Sequence, residues 1–258
     1  MLAVRSMRMR GDRQPGIARW MRAAALIIFA ALLAPLAVHA AADLPPSVNE
    51  YLDALSAIQA SKERQSLQPV FELAIKSSPG VQAVLAALSE ADYEALRSRM
   101  QGFILNRGQV VFVRPSAQFF EKLARAKGTK ADRAFFDIYA RTEPDQSAMF
   151  PAYIRQQTGD TGCTLFDGPL LTGLYRKWLG FRTSYPDAYA TEAQGEIDSM
   201  DQELLGGTCA CDDKAKVAAG LTAFVNALPD LPITPRIRDR ISGIRDGTTH
   251  IRFNCHSG

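Results

Sequence analysis

The four cysteines of this 258-residue chain, Cys163, Cys209, Cys211 and Cys255, constrain its fold more than any other feature. An even number of thiols behind an export leader reads as a disulfide framework, with two bridges the default in an oxidising compartment. A Cys209–Cys211 bond would close a very tight ring. Each of that pair is therefore expected to bond outward, one to Cys163 and one to Cys255, in either order. A bridge from Cys163 closes a loop of about 46 residues, worth about 4 kcal/mol on the chain-entropy model. The other bridge ties down a tail that would otherwise fray. Two sharper chemistries compete for the same residues. Cys209, Cys211 and Cys255 with His250 or His256 could hold zinc, but ligand pairs usually sit two to four residues apart. Cys209-Ala210-Cys211 could be a redox pair, but the usual motif has two intervening residues. The expectation is structural disulfides, with no metal and no cofactor.

The leader lies in the first forty residues. Arg19 and Arg22 precede an apolar run from Ala23 to Ala34 that Pro35 breaks. Val38-His39-Ala40 and Ala40-Ala41-Ala42 then supply the small-x-small pattern of a cleavage site. This predicts a signal peptide over 1–40, cut after Ala40 or Ala42, with Met21 as an alternative start to Met1. Ala23–Val38 has 16 residues, too few to cross a bilayer as a helix. No later segment is apolar enough, so no integral membrane span is expected after cleavage. Met1–Ala40 carries six Arg and one Asp, so of 30 Lys+Arg and 27 Asp+Glu the remainder keeps 24 and 26, a net −2. Nucleic acid calls for a clustered positive field, so it is not an expected partner.

Beyond the leader the apolar residues recur at helical spacing. Ser47 with Glu50 reads as a capping box ahead of Val48, Tyr51, Leu52, Leu55 and Ile58. Leu67–Ile75 and Val81–Leu88 read as separate helices with Ser77-Ser78-Pro79-Gly80 between them. Ser89 with Asp92 starts a helix carrying Tyr93, Leu96, Met100 and Phe103. Gln109–Val113 is the clearest strand. Helices with Phe119, Phe120 and Leu123, then with Phe135, Phe136 and Tyr139, follow, the second opened by Thr129 and Asp132. Tyr153 and Ile154 suggest a short helix, and Thr158–Gly168 a loop. Pro169–Phe181, Pro186–Leu205 and Asp212–Leu228 are helical by pattern, with Asp212 and Asp213 as acids at a helix start. Thr234-Pro235 caps a basic helix that Gly247 ends. Thr249–Asn254 alternates weakly and is the natural partner of Val110–Val113. The fold expected is mainly α: a single exported domain over 41–258 with roughly eight to ten helices, a minor two-stranded β element and stabilising disulfides.

Catalytic signatures are sparse. The chain lacks the sequence motifs of nucleophile elbows, zinc proteases, phosphate-binding loops and calcium loops. His250 and His256 both lie near the C-terminus. Glu192 and Glu196, four apart on one helix, read as a solvated pair. The densest unusual feature is Tyr175, Trp178, Phe181, Tyr185 and Tyr189, interleaved with Arg176, Lys177 and Arg182. Aromatic rings with cationic neighbours dominate protein-binding hot spots, which makes Tyr175, Trp178, Arg182 and Tyr185 the candidate partner-binding residues. The competing reading places Tyr175, Trp178 and Phe181, spaced by three, on a core-facing stripe. Arg236, Arg238, Arg240, Arg245 and Arg252 form a basic cluster around Asp239 and Asp246, read as a solvated, salt-bridged helix.

These features together predict an exported protein that works by binding another envelope or secreted protein, as an inhibitor or immunity-type protein would, rather than an enzyme. The periplasm is the expected location, with the extracellular medium as the alternative. The competing functions are an envelope hydrolase using paired carboxylates and a structural envelope component.

Overall fold

The computed structural model describes residues 44–255 apart from Gln109, Ser147, Ala148, Thr208 and Asn254. The expected leader with its cleavage sites, and His256, lie outside the described residues. The described chain is mainly α. In order it comprises α1 (Pro46–Ala60), α2 (Gln68–Leu85), α3 (Glu90–Arg99), β1 (Phe103–Arg107), β2 (Val111–Pro115), α4 (Ala117–Lys127) and α5 (Lys130–Thr142). There follow β3 (Ile154–Gln156), β4 (Gly162–Thr164), α6 (Leu170–Ser184), α7 (Ala190–Gly206), β5 (Cys209–Ala210), α8 (Lys214–Ala227), α9 (Thr234–Asp246) and β6 (Arg252–Phe253).

Several starts and stops form where local chemistry puts them. Ser89 caps α3 by accepting from the Asp92 amide, and Thr129 and Asp132 close a reciprocal capping box on α5. Asp213 caps α8, and Gly247, at φ 78°, ends α9 in the left-handed conformation that glycine tolerates. Ser47 and Thr234, by contrast, are not caps. α1 begins at Pro46 with no side-chain cap, and Thr234 sits inside α9, donating to the Leu228 carbonyl.

Pro79, expected to divide this stretch into separate helices, lies inside a continuous one. α2 runs unbroken through it because Val70, Ala74, Ser77, Val81 and Leu85 keep one buried stripe in phase on both sides. The Ser77 and Ser78 hydroxyls donate to the Leu73 and Ala74 carbonyls, at 2.7 and 3.0 Å, within the same stretch. α2 thus spans two apolar clusters. Val70, Phe71 and Ala74 belong to the larger, and Val81 and Leu85 pack in the smaller with Val48, Leu96, Met100 and Val113.

Phe71 stands edge-on to Phe120, Phe135, Phe136, Tyr139 and Tyr189. Rings in such arrangements bury large area and add directional attraction. Below them lies Asp132, with no exposed surface. Its carboxylate accepts from the Leu67 amide at 3.0 Å, from the Thr129 amide and hydroxyl at 2.6 Å each, and from the Tyr189 hydroxyl.

The β structure departs from expectation in its pairing. Phe103 is in a strand, not a helix, and β1 pairs antiparallel with β2 as a hairpin, Leu105 opposite Val113. The C-terminal strand does not join this hairpin. β6 completes a second sheet of order β3-β4-β5-β6, antiparallel at β3–β4 and parallel thereafter. Tyr153 and Ile154 therefore lead into a strand, and the expected loop around Cys163 contains β4. Cys163 bonds Cys211 across β4 and β5 (Cα–Cα 4.9 Å), and Cys209 bonds Cys255 across β5 and β6 (Cα–Cα 5.8 Å). The two bridges flank β5 on either side, which assigns the pairing that the sequence left open.

Both the buried carboxylate and the terminal bridge have measurable consequences. Asp132→Ala should lower unfolding stability in urea by on the order of 3 kcal/mol, because several buried donors lose their acceptor, and Tyr189→Phe should cost about 2 kcal/mol, because the buried carboxylate loses a donor. Replacing Cys209 and Cys255 together by Ser should cost up to about 4 kcal/mol and expose the backbone around Arg252 to proteolysis, while the helices retain their circular dichroism.

Candidate functional site

The aromatic stripe on α6 faces inward. Trp178 is fully buried and its indole N–H donates to the Thr142 hydroxyl at 3.0 Å. Tyr175 is buried beside Phe224 and donates to Asp201 at 2.8 Å. Phe181 and Tyr189 are buried as well. Of the four expected partner-binding residues, Tyr175 and Trp178 are therefore core. The reason is the three-to-four spacing with Leu171 and Leu174, which puts all four on the stripe that meets neighbouring helices. Arg182 remains exposed, beside Gln194, and Tyr185 is half-buried with its ring 5.4 Å from Phe181.

The other expected sites are dispersed. All four cysteine sulfurs are bonded to one another, which removes the thiolate zinc set and the Cys209–Cys211 redox pair. His250 is exposed beyond α9. Arg240 leaves the solvated basic group: it is buried over the Phe166 ring and donates to the Glu203 and Gly207 carbonyls, closing the C-terminus of α7. Arg236, Arg238 and Arg245 stay exposed.

What the structure gathers instead is a set of ionisable groups from three elements. Arg114 on β2 donates to Glu143 at 2.8 Å, and to the Pro144 carbonyl at 2.8 Å just past the end of α5. Arg114 and Glu143 side chains are only 15% and 19% exposed, and the Arg114 Nε is buried without a partner. One residue further on, Asp145 accepts from the Ser116 hydroxyl at 2.5 Å and from the Gln118 amide at 3.3 Å. Glu196 faces this group from α7, near enough to Glu143 and Arg114 for both to act on its charge. The pair sharing an environment is thus Glu143 and Glu196, not Glu192 and Glu196. Glu192 has one carboxylate oxygen buried without a partner, and its carboxyl is raised by burial and then by Glu72.

Two carboxylates facing one guanidinium in an enclosed place cannot both ionise cheaply. Burial pushes Glu143 up to about 7 against the pull of Arg114. Burial and the charge of Glu143 push Glu196 up to about 8, again against Arg114. Both carboxyls therefore hold protons well above the usual carboxylate range, and each affects the titration of the other. Tyr139 and Tyr153 close the site, and burial with the neighbouring carboxylates raises both phenols, so they stay protonated throughout. Chemically the arrangement can offer one acid and one base at the same pH. Its sequence signals were an Arg inside an otherwise apolar strand at Val111–Pro115 and a Glu-Pro at a helix end.

No protein-family model, no curated protein and no solved structure matches this chain.

A carboxylate raised in the folded state binds its proton more tightly there than in the unfolded chain. Its contribution to stability is complete below about 4.5 and is lost as pH rises through about 7 to 8. The melting temperature should accordingly fall between pH 5 and pH 9, and Glu196→Gln should flatten that fall. A wild-type melting temperature that rises over this range would contradict the site's electrostatics.

Proposed function

We propose that this chain is an exported protein, periplasmic in the first instance, that works by gripping an extended segment of another envelope or secreted protein. The carrying observation is a groove of about 760 Å³ between α2 and β2, lined by Ile75, Pro79, Ala83, Ala86, Val111 and Val113 among others. From Ser77 to Ser89 the chain holds no charged residue, although Pro79, Gln82, Ala83, Ala86 and Ala87 face outward. Ile75, at the head of the groove, is 42% exposed. A helix face that meets only water is normally charged, so an uncharged one suits a partner. Beside it, β2 has β1 on one edge and no strand on the other among the described residues. An extended segment can bond main chain to main chain along such an edge and set alternate side chains into the groove. The two disulfides fit an oxidising compartment, and no described helix is long and apolar enough to cross a membrane.

Photo-crosslinking in cells tests this reading, with the reactive residue placed at Ala83 or, separately, at Arg182. A discrete adduct from position 83 that Val111→Asp abolishes is the expected result. An adduct from position 182 alone would return the site to the Arg182–Tyr185 edge of α6. Adducts from neither position would overturn the binding reading.

One observation favours a second reading, an envelope hydrolase acting through paired carboxylates. Burial raises the carboxyls of both Glu143 and Glu196 towards neutral pH, where such chemistry needs its acid protonated. Clearance of purified cell wall that Glu196→Gln abolishes would establish it.

A further inference from the structure

The two disulfides close loops of nearly equal length, with sequence separations of 48 and 46. Loop length therefore favours neither bond, and access separates them. The first joins the two inner strands of the sheet, and Cys163 and Cys211 are only 1% and 8% exposed. The second runs from β5 to the end of the edge strand β6, and Cys209 and Cys255 are half-buried. β6 has little else to hold it. It pairs with β5 at two positions, Cys209 with Arg252 and Ala210 with Phe253, and both of its residues are exposed. The Thr248 and Thr249 amides donate to the Gly243 carbonyl at 2.8 and 2.9 Å, which closes α9 but does not reach the strand. Between these bonds and β6, Ile251 rests half-buried against the larger apolar cluster. The two sulfurs of the outer bridge also differ. The Cys255 amide donates to the Cys209 Sγ at 3.2 Å, and Arg252 stands opposite Cys209 in the register. A donor aimed at a sulfur, with a cation on the adjoining strand, favours its thiolate. Cys209 is thus the better leaving group, and Cys255 the sulfur to attack.

We propose that Cys209–Cys255 is a thiol-exchange site whose opening releases β6 while the Cys163–Cys211 bridge and the helices stay in place. Its reaction partner is an exposed protein dithiol. One thiolate of that dithiol attacks the Cys255 Sγ, forming an intermolecular disulfide as the Cys209–Cys255 bond breaks and Cys209 leaves with the electron pair. The second thiolate of the dithiol then attacks its own sulfur in the mixed disulfide and expels Cys255 as a thiolate. The dithiol ends as a disulfide, oxidised by two electrons, and its two protons pass through water to Cys209 and Cys255. A disulfide of the same class reverses these steps and refastens the strand. The exchange uses neither the groove nor the paired carboxylates, so it stands or falls apart from both functional readings.

Limited reduction of the folded, oxidised wild-type protein by dithiothreitol, quenched by alkylation and mapped by peptide mass, tests this site. Cys209 and Cys255 should be labelled about tenfold or more faster than Cys163 and Cys211, because a buried bridge must first be uncovered before a thiolate can reach it. The doubly labelled protein should keep its helical circular dichroism. Its 249–255 peptide should lose hydrogen-exchange protection, while peptides from α5 keep theirs. Reduced glutathione, a monothiol, should be trapped on Cys255. Equal labelling of all four cysteines, earlier labelling of Cys163 and Cys211, or no labelling short of unfolding would overturn the exchange site. Selective labelling with the 249–255 peptide still protected would overturn the release of β6. Glutathione trapped on Cys209 would overturn the assignment of attacked and leaving sulfurs.

Discussion

Asp132 joins three pieces of chain that lie far apart in sequence. Its carboxylate accepts from Leu67 at the entry to α2, from Thr129 at the entry to α5, and from Tyr189 at the entry to α7. Three helix starts, spread over more than 120 residues, are thereby brought to one buried point. A carboxylate with no exposed surface is tolerable only when its oxygens are fully engaged. The aromatic cluster depends on that point. Tyr189 adopts a left-handed backbone, at φ 50°, and its ring stacks on Phe135 at 3.9 Å between centroids. Such a backbone is uncommon for a bulky residue and persists only where its surroundings hold it.

The second constraint is covalent. β5 and β6 are two residues each, and a parallel pair of that length has too few ladder bonds to survive alone. The two disulfides on either side of β5 convert this weak sheet into a fixed seam that joins α7, α8 and the end of the chain after α9. Arg240 reinforces the same seam by closing α7 at the carbonyls just before β5. Helices α6, α7, α8 and α9 thus rest on a covalent border, whereas the hairpin and α1 to α5 are held by packing, hydrogen bonds and the Arg114–Glu143 pair.

Where these two regions meet, the interior changes character. The hairpin is held to the end of α5 by Arg114, and α7 brings Glu196 to the same place. Excess buried charge of this kind costs stability, and groups that do so tend to gather where a protein acts or responds. Along the second half of α2, from Ser77 to Ser89, the chain carries no charged residue. Arg114 belongs to both places, since it bonds Glu143 and also lines the groove along α2.

Much of the local structure could be read directly from the chain. The caps at Ser89 and Thr129, the stop at Gly247, the helical stripes, the strand at Val111–Val113 and the outward bonding of Cys209 and Cys211 all depend on residues within a few positions of one another. What tertiary structure decided involves groups distant in sequence. Pro79 is carried inside α2 because two buried clusters grip the helix on either side. Trp178 and Tyr175 turned out to be core because neighbouring helices cover their stripe. β6 joined β5 because the Cys209–Cys255 bridge lies beside it. Glu196 looked like a solvated helix residue because its neighbours in sequence are polar, and only burial beside Glu143 raises its carboxyl. Backbone preference and capping act over one helical turn and are written in the local sequence, whereas burial and electrostatics are set by whatever the fold brings alongside.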